Sequence, residues 1–267
     1  MESEEHSLES LGVLKMLAAN DRPTREAGIS AFETHLSSSQ DISELDFLKV
    51  WKGLYYCMWM TDRPKAQQAM ASKLPSMLLL AYDDNATKFV KAFWATICRE
   101  WNNIDRLRVD KFYLLIRRFV HMMFRRLSQS KWERSMVEKW SDILIAYPLN
   151  PTNSSIPDGI RYHMIDIYVD ELERAVNEFE KTEADKSFTI TKSDNDMNRS
   201  AGHRIAEIMR PFEILARDGK SKVIKKRAIE EVLHDPRLES RWQYGTPQIS
   251  PPTDVGNKHS KKKVRIK

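Results

Sequence analysis

Glycine and cysteine are scarce in this sequence, and no apolar run is long. Eight glycines in 267 residues, set among long segments of 3.6-residue period, argue for an all-helical chain. The two cysteines, Cys57 and Cys98, cannot alone build a disulfide framework or a zinc site. Both fall in aromatic-rich helical stretches and read as buried structural thiols. No apolar segment approaches the ~20 residues that span a bilayer. The start is acidic (Glu2, Glu4, Glu5, Glu9) and unlike a secretory leader. A soluble intracellular protein with no membrane partner is therefore expected, and the N-x-S/T triplets at Asn85, Asn153 and Asn198 carry no expectation of glycosylation.

Reactive constellations are missing as well. The seven histidines are scattered, with no pair at metal-ligand spacing on a helix face. Asp218-Gly219-Lys220-Ser221 looks like the end of a phosphate-binding loop but lacks the upstream glycine and the preceding strand. No nucleophile has an identifiable base. The chain is expected to have no metal, no cofactor and no catalytic residue, although folding could still gather distant carboxylates.

What is present is concentrated in Lys91–Phe119, KAFWATICREWNNIDRLRVDKFYLLIRRF. Val90, Phe93, Trp94, Ile97 and Trp101 recur at three and four residues and form one apolar face. Asn102-Asn103 break the pattern, and Asp105 is the predicted N-cap of the next helix. There Val109, Phe112, Ile116, Phe119, Val120, Met123 and Leu127 share one side. Arg106, Lys111, Arg117, Arg118 and Arg125 are expected on the other. From Arg99 to Arg134 ten Lys/Arg face four Asp/Glu, a local excess of six in a chain whose formal charge is +5. Such asymmetry suits an anionic partner.

Taken in order, Leu8, Leu11, Leu14 and Leu17 outline a first helix. Pro23 opens a second that runs to about Leu36. Ser43 with Asp46 resembles a capping box ahead of Phe47, Trp51, Leu54, Tyr55 and Met58. Arg63–Tyr82 is a further helix with Pro75 inside it. Lys131–Tyr147, Ile160–Phe179, Arg204–Ala216 and Ser221–His234 complete the helical set. Beyond Pro236 the chain turns Pro-rich and then Lys-rich, with too little apolar content to pack. Pairs recur at roughly 40 residues, within the range of HEAT-like repeats. The fold class expected is all-α, a right-handed HEAT-like helical-repeat solenoid over residues 1–240, with a disordered basic tail over 241–267. A compact irregular helical bundle is the competing arrangement.

Two surfaces are candidates for binding. The first is the cationic set Arg106, Lys111, Arg117, Arg118 and Arg125, either a solvated helix face or a contact for RNA phosphates or an acidic protein. Leu114, Leu115 and Met122 interrupt it, which favours protein partners on RNA over bare RNA. Tyr56 and Trp59 lie off the main apolar face and suit either a partner or the next helix pair. The second is the tail, where Lys261, Lys262, Lys263 and Arg265 resemble a nuclear-localisation signal; a salt-sensitive RNA anchor is the compatible alternative.

FWATICREWNNIDRLRVDKFYLLIRRF, together with KVWKGLYYCMWMTDRPKAQQAM, LKMLAANDRPTREAGISAF and IPDGIRYHMIDIYVDELE, resembles the eukaryotic nucleolar family named for ribosomal RNA processing protein one. These blocks cover most of Leu8–Val176. The resemblance implies a nucleolar assembly factor for the large ribosomal subunit, needed for maturation of its precursor rRNA. It further implies a helical scaffold that docks β-propeller and Brix-domain assembly factors on the pre-60S particle, with rRNA met directly or through them. It marks no catalytic residue. A general nuclear RNA-binding or transport adaptor, and an rRNA-processing nuclease, are the alternatives.

Overall fold

The computed structural model describes residues 12–38, 40–186 and 194–245. Among them there is no β-strand, and the chain is all-α. Eleven α-helices are described: α1 (Val13–Leu17), α2 (Arg22–Leu36), α3 (Glu44–Trp59), α4 (Pro64–Ser76), α5 (Asp83–Glu100), α6 (Val109–Gln129), α7 (Arg134–Ala146), α8 (Asp158–Lys186), α9 (Asp194–Asp218), α10 (Lys222–Arg227) and α11 (Pro236–Trp242). Lys261, Lys262, Lys263 and Arg265, and the expected disordered tail from residue 246 onward, lie outside the described residues, as do Leu8 and Leu11.

Several helix starts follow directly from local chemistry. The Asp21 carboxylate accepts from Thr24 N at 2.9 Å, with Pro23 in the first turn of α2. Ser43 Oγ accepts from Asp46 N at 3.1 Å to start α3. Pro75 stands one residue from the end of α4, where the chain tightens into a 3-10 turn at Met77–Leu79. Asp105 behaves differently from its expected role. Its Oδ1 accepts from Leu107 N and Arg108 N and so caps a separate turn, while α6 begins at Val109. Lys131 and Trp132 do not begin α7 either: both have positive φ (53° and 57°), and Trp132 N reaches back to Leu127 O at 2.8 Å. They close α6, and Glu133 caps α7 in their place.

Helices pack with alternate neighbours. α3, α5, α7 and α9 lie side by side in one layer, and α4, α6 and α8 in the other. Each pair thus leaves an apolar face that only the next pair covers. The α1 helix closes the first end against α2 and α3. The close approach there requires glycine, since a Cβ on Gly28 or Gly53 would stand 2.8 Å from the Cβ of Met16 or Leu17. At the second end α10 continues into a π-helical turn, Ala228–Leu233, that packs on α8 and α9. α11 then buries Leu238, Trp242 and, just beyond it, Tyr244. Packing therefore persists past Pro236 and past residue 240, a correction to the expected start of the tail. Three apolar side chains within seven positions suffice because α9 already offers a surface to receive them.

The interior centres on rings from α2, α3, α5 and α6. Phe93 and Phe119 stack at 3.6 Å between centroids, with Trp51 4.9 Å from Phe93 and 4.7 Å from Phe89. Trp94 and Trp101 are buried, as their spacing predicts. Asn85 is buried too: its carboxamide accepts from Ile42 N and donates to Gln40 O, which pins the approach to α3 against the start of α5. A second clamp sits on the α7–α8 connection. The buried Arg161 guanidinium donates to the carbonyls of Asn150, Asn153 and Ile156, satisfying loop oxygens that would otherwise be costly to bury.

Candidate interaction site

The cationic residues of α6 and the turn before it do not share one open face. Lys111 is 4% exposed, and its Nζ donates to the carbonyls of Trp59 at 2.5 Å and Thr61 at 2.9 Å. It thereby serves the unpaired carbonyls at the end of α3, and burial pulls its pKa below the ordinary lysine value. Arg118 turns toward α4, donating to Ser72 and, at 2.7 Å, to Gln68 Oε1. Arg117 and Arg125 turn toward α8, the first to Glu171 with Asp170 at 3.6 Å, the second to within 3.7 Å of Glu178. The expected common basic face is corrected to three sets of inter-helix ties. Helical spacing places these side chains off the apolar stripe, but α4 and α8 stand close enough on either side to engage them.

Of the five, Arg106 and Arg117 are exposed, and of these two only Arg117 has an ion pair among the described residues. Beside Arg106, Leu107 is 92% exposed, held at the tip of the turn that Asp105 caps. Arg108 folds back, its guanidinium 5.0 Å above the Trp59 ring. Trp59 also packs on Tyr55 and Phe112 and so belongs to the core margin, whereas Tyr56 on the same helix is 44% exposed.

The ties to α8 include residues that the sequence did not single out. Glu171 is 1% exposed and His121 is 3% exposed. The His121 ring stands between two carboxylates: Nε2 is 3.0 Å from Glu178 Oε2, and Nδ1 lies 3.2 Å from Glu171 Oε2 in a close contact rather than an aligned hydrogen bond. Burial alone would push Glu171 up; His121 and Arg117 outweigh it and hold the carboxyl below its ordinary value. Glu178 shows the same balance, with burial opposed by His121 and Arg174. The signal was available in retrospect. Arg117, His121 and Arg125 recur every four residues on α6, opposite Glu171, Arg174 and Glu178 at helical spacing on α8.

A pH dependence follows from these two depressed carboxyls. Each contributes stability that is present above the unfolded-state value and is lost as pH falls through the lower folded value. Thermal midpoints should hold from neutrality to about pH 5 and drop below the ordinary glutamate value of 4.5. The Glu171→Gln variant should lose part of that acid dependence. An identical acid limb in the variant would remove this assignment.

The remaining candidates for chemistry are bound up in structure. Burial pushes the Cys57 thiol up to about 11 and the Cys98 thiol up to about 12, so neither presents thiolate at neutral pH. Gly219 N–H donates to Leu215 O at the end of α9, and Ser221 Oγ accepts from Ile224 N at the start of α10; the segment is a helix–helix turn. Among the described residues no three or more His, Cys, Asp or Glu are grouped to hold a metal ion, and no helix is long and apolar enough to cross a membrane.

Fold and site together define the class, an all-α protein of stacked amphipathic helices with a projecting apolar and basic corner at Arg106–Leu107. The chain belongs to the Nop52 nucleolar protein family, whose profile matches residues 9–265. It is 37% identical over 165 residues to ribosomal RNA processing protein 1 homolog B of Homo sapiens, an alignment that covers 59% of this chain and 22% of that protein. It is 35% identical over 163 residues to homolog A of the same organism, covering 58% and 35%. The homolog from Drosophila melanogaster is 33% identical over 171 residues, covering 62% and 25%. The alignments thus span between about a fifth and about a third of these relatives' length.

Proposed function

We propose that the chain is a non-enzymatic helical scaffold in ribosome biogenesis, required for processing the precursor rRNA of the large subunit in the nucleolus. Membership of a nucleolar family, and relatives named for ribosomal RNA processing, support the process and the compartment. The scaffold role rests on one structural observation, the Arg106–Leu107 corner. A single exposed leucine is ordinary on a protein surface. A leucine 92% exposed, fixed by a capped turn and flanked by an arginine with no ion pair among the described residues, has the make-up of a docking edge. Its partners are pre-60S assembly factors of β-propeller and Brix-domain type, with precursor rRNA met directly or through them. Import by Lys261, Lys262, Lys263 and Arg265 completes the reading.

The test is purification of the chain from nuclear extract with its bound material. Large-subunit precursor rRNA and assembly factors are expected to come with it. Leu107→Glu should lose most of that association while melting at the wild-type temperature. Importins or mixed RNA in their place would shift the reading to a transport or general RNA-binding adaptor. Cleavage of precursor rRNA by the pure chain would make it a nuclease.

A further inference from the structure

The stacking of helix pairs is open at one place. α4 packs along α6, and α6 along α8, yet α2 and α4 scarcely touch. An ion pair from Lys73 to Glu33, at 3.2 Å, links them. Between the two helices runs a groove of about 660 Å³. Its origin is in the sequence of α4, where Ala66, Ala69 and Met70 occupy the side turned to α2. Alanines cannot fill the space that larger side chains close between α4 and α6, so a channel remains between α2 and α4 with the partly buried Met70 at its wall.

A buried charge lies at the same place. Arg25 lines the groove and is 8% exposed. One nitrogen, Nη1, donates to the carbonyls of Ala19 at 2.9 Å and Asn20 at 2.6 Å. Those bonds fix the guanidinium in position but use only part of its fork of five donors. Among the described residues no carboxylate forms an ion pair with it. Asp21 acts on it electrostatically but forms no direct pair with it. A cation withdrawn from water without a bonded counter-charge is unfavourable, and the fork is shaped to take a carboxylate through two parallel hydrogen bonds. Arg63, exposed and also without an ion pair among the described residues, adds a second cation at the rim.

We infer that the α2–α4 groove is a docking site for an acidic, amphipathic segment of a protein partner. A carboxylate of the segment engages Arg25, and its apolar side chains lie on Ala66, Ala69 and Met70. Methionine adapts to varied side-chain shapes, and Met60, 46% exposed, extends the apolar wall at one end of the groove. A nucleic-acid strand fits the groove less well. Glu26 and Asp62 line it beside the cations. A strand would set a charge against them at every nucleotide, whereas a segment can carry its few carboxylates only opposite Arg25 and Arg63, and a sugar–phosphate backbone has no aliphatic surface to place on the alanines. This deepens the scaffold reading by naming the chemistry of one partner. Its test uses the pure chain, so it succeeds or fails independently of association with pre-ribosomal particles.

The probe is a random peptide library displayed on phage and selected on the full chain. The selected peptides are then titrated by fluorescence anisotropy against wild type, Arg25→Gln and Ala69→Glu. Selection is expected to yield a consensus of Asp or Glu with apolar residues. Binding should protect amides of α2 and α4 from hydrogen exchange. Arg25→Gln should weaken it roughly tenfold, the loss of one charge-assisted contact, and Ala69→Glu by a similar factor, because its carboxylate repels the acidic segment and its bulk occupies the apolar wall. Arg25→Gln also disturbs the α1–α2 turn; Ala69→Glu, on an exposed position of α4, should leave the melting temperature unchanged and so isolates the groove. The inference is overturned by a selection without consensus, by a basic consensus, by full affinity in Ala69→Glu, or by a uridine oligonucleotide that occupies α2 and α4 where peptides do not.

Discussion

Phe119→Ala is expected to cost about 3–5 kcal/mol of folding stability, the range for deleting a fully buried aromatic side chain. Phe119 has 0% exposure. Its ring stacks on Phe93 at 3.6 Å and lies 5.6 Å from Trp51, 6.1 Å from Phe89 and 6.2 Å from Trp94. These rings come from α3, α5 and α6, so the cavity left by the deletion opens between helices of both layers. The walls cannot collapse together without moving whole helices, which places the cost in the upper part of the range. Denaturant unfolding monitored by circular dichroism reads the effect directly. A loss below ~1 kcal/mol would mean that this cluster does not hold the layers together. Trp94 supplies a control. Trp94→Ala belongs in the same range, whereas Trp94→Phe should be far milder because the indole N–H it removes is buried without a partner.

Arg117→Glu should be the most damaging of the charge reversals on α6. Its guanidinium is the partner of Glu171, a carboxylate 1% exposed. Reversal removes that partner and sets a second carboxylate against a buried one, with Asp170 close by. Removing one side of a buried pair costs ~3–5 kcal/mol. Arg117 is itself 45% exposed, so solvent moderates the effect toward the lower end of that range. Arg117→Met, which removes the charge without repulsion, should be less harmful. Equal stability of wild type and Arg117→Glu would show that the α6–α8 tie carries no weight. Arg106→Glu, at a position with no ion pair, should leave the melting temperature unchanged and serves as the reference.

The contrast between Arg117 and Arg106 shows where legibility in the sequence ends. Both stand off the apolar stripe of their segment, and composition treats them alike. Helical periodicity assigns a residue to a side of its own helix, and only the neighbouring helices determine what that side meets. Glu171 lies 54 positions from Arg117, and nothing local to either announces the other. The same gap explains Lys111, read as part of a surface set and found serving carbonyls of α3. It explains Trp242 and Tyr244 as well, too few to build a core but sufficient to dock on one already present. The left-handed turn at Lys131 and Trp132 was hidden for another reason, since neither residue type favours positive φ and packing of Trp132 holds it there.

The sequence by itself determined the helices as far as His234, their apolar faces, the caps at Asp21 and Ser43, the burial of Trp94 and Trp101, and the family. These depend on short-range spacing, on side-chain hydrogen bonds to nearby amides, or on long ordered blocks of aromatic residues. Tertiary structure alone decided which charges stay free, where the buried His121–Glu171–Glu178 contacts form, and that α2 and α4 part around Arg25. Each of those depends on which helix lies opposite. That is fixed by how whole faces pack across the two layers, at distances along the chain over which local pattern carries no information.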